Sequence, residues 1–343
     1  MSKIEKKINI IYFLPADNSP IGGIKTILRQ SNLINKLNLK NIKSQIVFFK
    51  FKKNKNLFLR LLQIKHEYKK KMILKKNFIP DWCDYEVDCK NDLNFNSKKD
   101  FLVFPEVFAD QAYDLYLKKK IKYAIYVQNG YYLLSNQNTE ILKEVYKNAS
   151  FIISYTKEVD RYIYATFPFC KKKILRTHIS FLSLKIKKKK NFITYMPRKL
   201  PDHSRHLINI IKNRIPKKWT IKPLNNFSET EILKNFISSK IFLSFSHLES
   251  VGFPPIEAAI HGNKVIGYSG HFGETFWKKP IFTRINYGDL ILFSNEVINS
   301  IKNINLNWIK KTSKYRNFLK KKYSLEEEIK YLKKNIAEII KIF

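Results

Sequence analysis

Short apolar runs, each closed by a turn signal and followed by a stretch with helical spacing, recur along this chain and leave few folds open to it. A strand that must return parallel to its predecessor needs a crossover, and a helix between the two is the usual one. Residues 8–15 read as a buried strand ending at Pro15, 21–39 as a helix entered through Gly22-Gly23, and 44–51 as a second strand. Further short strands are expected at 101–104, 123–127 and 151–155. The periodicity lapses in a lysine tract over 184–190, which marks a linker, and resumes with a strand at 192–196. In the second half Asp202 or Ser204 is placed to cap a helix running to about Arg214, and 219–222 is strand-like. Ser228-Glu229-Thr230-Glu231 is a capping box before a helix at 232–237. Strands at 241–245 and 265–268 enclose a helix at 256–261, and 324–342 is a long amphipathic helix. The expected division is 1–185, 191–323 and 324–343: two α/β domains and a terminal helix.

Composition narrows the function classes. A chain of 343 residues with 44% hydrophobic content buries a large core. Its longest apolar runs fall short of the roughly 20 residues that span a bilayer. Residues 1–16 faintly imitate a signal peptide, but a buried first strand accounts for them as well. Three cysteines, Cys83, Cys89 and Cys170, with no CxxC and no histidine cluster beside them suggest neither a disulfide framework nor a zinc site, and fit a reducing, cytoplasmic setting. The net charge of +37 raises nucleic acid or an anionic membrane as partners. Yet 56 Lys stand against 9 Arg, amid many Ile and Asn, whereas selection for phosphate or base recognition favours the Arg fork. Compositional drift explains most of the charge, and no specific nucleic-acid binding is expected. Residues 50–76 mix Leu57, Phe58, Leu61, Leu62 and Ile64 with Lys and Arg at near-helical spacing, so peripheral contact with the inner face of an anionic membrane is an expectation.

The segment that carries chemistry runs from Ser246 to Gly262. Glu249 and Glu257 lie eight positions apart, separated by Gly252 and by Pro254-Pro255, directly after a buried strand. Proline disfavours helical geometry in the residue before it, which makes Pro255 the expected first helical residue and Pro254 the cap. The helix end then faces Val251, Gly252 and Phe253, where free amides and the positive end of the dipole suit an anion such as a nucleotide diphosphate. Glu257 in the first turn is able to accept two hydrogen bonds from a vicinal diol, and Glu249 to reach sugar hydroxyls beyond the phosphates. An ordinary strand-turn-helix, with Glu257 merely complementing the helix dipole, is the competing reading.

These residues resemble the E-x7-E signature of retaining GT-B glycosyltransferases of the family-4 type. Glu249, Gly252, Pro254, Glu257, Ala258, Gly262 and Val265-Ile266 match it position by position, and Ile21-Gly22-Gly23 resembles the family's glycine loop near donor phosphates and acceptor. The resemblance implies two Rossmann-like domains with a cleft between them and a C-terminal helix crossing back onto the first. It assigns the ribose to Glu257, the transferred sugar to Glu249 and the pyrophosphate to the amides around Gly252. It implies no metal and no other cofactor. The substrates implied are a nucleotide-sugar donor and a glycan or lipid-linked acceptor, in surface glycan or polysaccharide biosynthesis.

The sequence also departs from the family. Ser250 replaces the usual glycine after the first glutamate, and the Arg-Lys pair that neutralises the leaving diphosphate is approximated by Arg198 with Lys199 or Arg205. Where relatives carry a histidine, the chain has Gln128-Asn129, which are able to hydrogen-bond sugar hydroxyls but take no proton at neutral pH, so the general base is unassigned. Glu106 after another strand end is a candidate for the acceptor side, with a structural turn as the alternative. His247, His261 and His271 give no metal-ligand spacing. Two rivals to the enzyme follow: a catalytically degenerate GT-B protein that binds a sugar or a partner, and a basic nucleic-acid-binding protein.

Overall fold

A computed structural model of the chain describes residues 7–19, 21–51, 72–134, 139–225, 227–270, 276–305 and 307–343. The chain divides into two compact units, one comprising Met1–Thr177 with Ile329–Phe343 and the other His178–Glu328. The basic stretch at 50–76 falls mostly outside the described residues, as does His271.

The first unit is built on a seven-stranded sheet. Its strands are β1 (Ile8–Pro15), β2 (Ile42–Phe51), β3 (Met72–Leu74), β4 (Asp100–Pro105), β5 (Tyr123–Val127), β6 (Phe151–Ser154) and β7 (Ile174–Arg176), in the order β3-β2-β1-β4-β5-β6-β7. All pairs are parallel except β2 with β3. β4 and β5 are buried along their whole length, which is why they read as continuous apolar runs rather than as alternation. Phe13 stacks on Phe104 at 4.2 Å between centroids, and Phe49, Ile125, Leu142 and Val145 continue that core. The helices Gly22–Lys36, Gln111–Lys119, Thr139–Asn148 and Lys157–Thr166 supply crossovers, and the C-terminal helix Leu325–Lys341 adds Leu332, Ile336 and Ile339 to this unit's buried residues.

The second unit holds five parallel strands, β8 (Lys190–Tyr195), β9 (Thr220–Pro223), β10 (Ser239–Ser246), β11 (Lys264–Ser269) and β12 (Phe282–Arg284), in the order β12-β11-β10-β8-β9. Ile193, Leu243, Ile266 and Phe293 lie at its centre. Ser228 caps the helix Glu229–Ser238 with both halves of the capping box formed. The helix Pro201–Ile211 is capped by Leu200 without a side-chain bond, contrary to the expected role of Asp202 or Ser204, because Pro201 takes the first helical position and draws the start forward. Among the described residues no helix is long and apolar enough to cross a membrane.

Both sheets have one place where successive strands depart to opposite sides: between β1 and β4 in the first unit, and between β8 and β10 in the second. Open α/β sheets bind ligands outside the carboxyl ends of their strands at such points.

Candidate functional site

At the second unit's switch point the chain leaves β8 through Arg198-Lys199 and leaves β10 through His247-Leu248-Glu249. Lys199 Nζ donates to Glu249 Oε1 in an ion pair, with side-chain exposures of 47% and 20%. A pair that is only partly buried adds little stability, so its position has to be explained some other way. Burial first, and the Arg198 charge second, hold the Lys199 ammonium below its usual pKa. Gly270, at the exit of β11, passes close by: a Cβ there would sit 3.1 Å from His247 O and 3.3 Å from Glu249 Cβ, and its φ of +60° suits glycine alone. Nothing in the sequence pattern singled it out, since its partner loop is distant in the chain.

The helix after the loop starts earlier than the prolines suggested. It spans Phe253–Ile260, with Gly252 as its cap at φ 65° and ψ 69°. Prolines at the second and third helical positions forfeit no bond, because the amides there have no acceptor within the helix, and the left-handed glycine makes the turn. Two corrections follow. Of the first three helical residues only Phe253 keeps an N–H, so the anion site expected at this helix end has fewer donors. Glu257 is the fifth helical residue, the first turn holds no acid, and the dipole accounts for little of its presence. Val251 and Ser250 are buried, while Glu257 is partly exposed. Arg205 lies on the helix Pro201–Ile211 with Nη2 donating to Asp202 Oδ1 at 2.8 Å.

Histidines surround this end of the sheet without converging. His203 and His247 each lie 4.9 Å from the ring of Tyr287, and His203 Nδ1 is 3.0 Å from the Tyr268 hydroxyl. His261 is fully buried between Glu257 O, 2.7 Å from Nδ1, and the Leu184 amide, and burial pushes it down to about 4, so it is neutral. Among the described residues no three His, Cys, Asp or Glu form a group able to hold a metal.

At the first unit's switch point four of the sequence candidates meet. Gln128 Nε2 donates to Gly23 O at 3.1 Å, and a Cβ on Gly23 would lie 2.2 Å from Gln128 Oε1, so a larger residue there would displace the Gln128 amide. Asn129 N donates to Glu106 Oε1 at 2.8 Å, while Asn129 Oδ1 accepts from Tyr131 N at 3.1 Å. Glu106 opens a 3-10 turn and is 3% exposed, which places its carboxyl inside the unit. Burial raises it to about 7 against the opposing pull of the Gln128 and Asn129 amides. Gly22 begins the helix, with its carbonyl accepting from Thr26 Oγ1 at 2.9 Å.

No protein-family model and no curated protein matches the sequence. Solved structures do match. Sucrose-phosphate synthase from Thermosynechococcus elongatus superimposes with a TM-score of 0.61 at 9% identity over 98% of this chain and 100% of that one. A crystal structure of TarM gives 0.59 at 12% identity over 94% and 97%. The fold is GT-B. Its two Rossmann-like sheets match glycosyltransferase neighbours. A third GT-B structure, a mutant of S. aureus TarM in complex with fondaparinux, alpha-GlcNAc-glycerol and UDP, matches at 0.50 and 14% identity, and there the chain spans 54% of the neighbour's length.

Proposed function

We propose that the chain is a glycosyltransferase using a nucleoside diphosphate sugar, with the second unit as its donor site. The observation that carries this reading is the Lys199–Glu249 ion pair at the switch point of a GT-B donor-side sheet, eight residues before Glu257 on the adjoining helix. Two GT-B neighbours were solved with a nucleoside diphosphate: TarM with UDP, and the catalytic domain of starch synthase IV from Arabidopsis thaliana, at TM-score 0.53 and 10% identity, with ADP and acarbose.

In this reading Glu257 accepts from ribose hydroxyls and Glu249 from hydroxyls of the transferred sugar. Arg198, Lys199 and the Gly252 and Phe253 amides meet the diphosphate, with Arg205 at the margin. As the bond from the anomeric carbon to the diphosphate breaks and the bond to an acceptor oxygen forms, charge accumulates on the leaving group. Preorganised cations are worth most at that point, and they matter more here because prolines have removed two amides. Lys199 therefore has two partners at different stages: Glu249 when the site is empty and the diphosphate when it is filled. In the first unit Gly22 and Gly23 lie near the donor phosphates and the acceptor, Gln128 and Asn129 face the acceptor, and Glu106 holds them in place. Transfer with retention, to a glycan or lipid-linked acceptor in polysaccharide assembly, belongs to the same proposal.

Calorimetry with UDP, ADP and GDP tests it. Binding of at least one, lost in Lys199→Met, supports the donor site; no binding by a folded protein overturns it. A second reading, a sugar-binding GT-B protein without turnover, is favoured by the loss of helix-end donors at Pro254 and Pro255. It predicts nucleotide binding with no release of sugar from any donor.

A further inference from the structure

From residue 161 to 201, and again from 297 to 325, the chain carries no Asp or Glu. The second unit lays parts of these two stretches side by side. Phe181 N donates to Tyr323 O at 3.0 Å, and the Phe181 and His178 rings lie 5.3 and 5.5 Å from that of Tyr323. Leu184 N then reaches His261 at 3.3 Å, and a Cβ on Gly262 would meet Ile309 Cδ1 at 2.7 Å and Ile186 Cδ1 at 3.2 Å. The segment from 178 to 189 thus runs antiparallel past the helices Ser313–Lys322 and Trp308–Lys311.

The segment and the helices beside it are both lysine-rich, with exposed apolar groups on each. Lys185, Lys187 and Lys188 are exposed on the segment, and Lys310, Lys311, Lys314 and Lys321 on the helices. Among them Leu182 is 58% exposed, Phe318 51% and Leu184 39%, and Lys322 Nζ lies 5.9 Å from the Phe318 ring. Cations crowd beneath as well. Burial first, and the Arg316 charge second, bring the Lys189 ammonium down to about 7 and lower that of Lys320. Acidic residues return at the opening of the last helix, with Glu326 and Glu327 in its first turn.

We propose that this face of the second unit docks on an anionic lipid bilayer, with Leu182, Leu184 and Phe318 entering the headgroup region and the lysines around them meeting lipid phosphates. The two leucines weigh towards a bilayer over nucleic acid. Leucine has no π-face on which a base stacks, whereas it gains by leaving water in either setting that is apolar. Lysine supplies a point charge on a long stem that reaches up to phosphate level while its neighbours sink. The inference stands apart from the donor-site reading, since none of these residues is assigned to that site.

The test is vesicle sedimentation of the full chain at roughly physiological salt, with phosphatidylglycerol-containing vesicles against phosphatidylcholine alone. Wild type partitions onto the anionic vesicles and not onto the neutral ones. Changing Lys185, Lys187, Lys188 and Lys321 together to Gln lowers the partition coefficient at least tenfold, given about fivefold per lysine near a charged leaflet. Phe318→Ser alone lowers it about tenfold, with the melting temperature falling by no more than a few degrees because the ring is half exposed. Equal partition onto both lipids, or full binding by both variants, overturns the proposal. So does tighter binding to duplex DNA than to vesicles in the same salt. Loss of binding on changing Lys52, Lys53, Lys55, Lys69, Lys70 and Lys71, with these variants unaffected, moves membrane contact to residues 50–76 and equally overturns it.

Discussion

Lys199 and Glu249 are 50 positions apart in sequence and bonded in space, and the chemistry assigned to them separates into different measurements. Glu249→Gln retains hydrogen-bonding capacity but frees Lys199, so nucleoside diphosphate affinity is expected to hold or rise while transfer falls by about 10²-fold or more. Parallel calorimetry and turnover assays check this, and an unchanged turnover number would remove Glu249 from the site. Glu257→Ala is expected to weaken nucleoside diphosphate binding by about tenfold or more, as two hydrogen bonds to a diol are lost. A folded variant that binds as tightly as wild type refutes the ribose assignment. Glu106 is a different kind of residue, since its carboxyl is inside the unit and raised from 4.5 to about 7. Between these values the folded state holds a proton that the unfolded state has released, so stability is greatest below pH 4.5 on this account and declines as pH rises to 7, by at most about 3 kcal/mol. Glu106→Gln abolishes that slope, and urea midpoints at pH 5 and pH 8 should converge in the variant. Activity should suffer nonetheless, because the ionised carboxylate is the better acceptor for the Asn129 amide that aligns Gln128 against Gly23.

At the level of elements, long patterned segments were readable and contacts between them were not. The 8–15 strand and the Ser228 capping box stand where the sequence put them, because each is decided by residues within a few positions. β3, β7 and β12 are three residues long, too short for any period to register. The start of the Phe253–Ile260 helix was misread because a local rule about the residue before proline competes with a turn that a left-handed glycine makes available. Likewise Lys199 was legible as a cation but not as the partner of Glu249, and Glu106 as a strand-end acid but not as a buried one. The helix start has a testable consequence. Gly252→Ala leaves room for the methyl, whose nearest neighbour would be Ser246 Oγ at 3.8 Å, yet forces an L-residue to φ +65°. The cost is about 1–2 kcal/mol, or a fall of a few degrees in melting temperature, and calorimetry should show weaker nucleotide binding as the Phe253 amide is reoriented.

For the molecule as a whole, the first unit is discontinuous: its sheet is made from the beginning of the chain and part of its cover from the end. A cavity there is lined by Ile10, Tyr12, Val103 and Tyr126 from the sheet and by Leu332 and Ile336 from the last helix. Lys122 Nζ also donates to Ile342 O and lies 4.2 Å from the Phe343 ring. Deleting Ile329–Phe343 removes Leu332, Ile336 and Ile339, each worth about 1.5–3 kcal/mol when buried, and uncovers Ile10, Tyr12, Val103 and Tyr126, so the damage should fall on the opposite end of the sequence. Limited proteolysis of the truncated protein is expected to cut within the first unit and to spare the second; the reverse order of cleavage would contradict the division. The same arrangement sets a schedule for synthesis. A ribosome releases the sheet of the first unit long before it releases the helix that covers it, so the second unit has its full complement of residues while the first still waits for its last piece. Truncations or disruptive substitutions within Ile329–Phe343 would therefore be felt as defects of the amino-terminal domain.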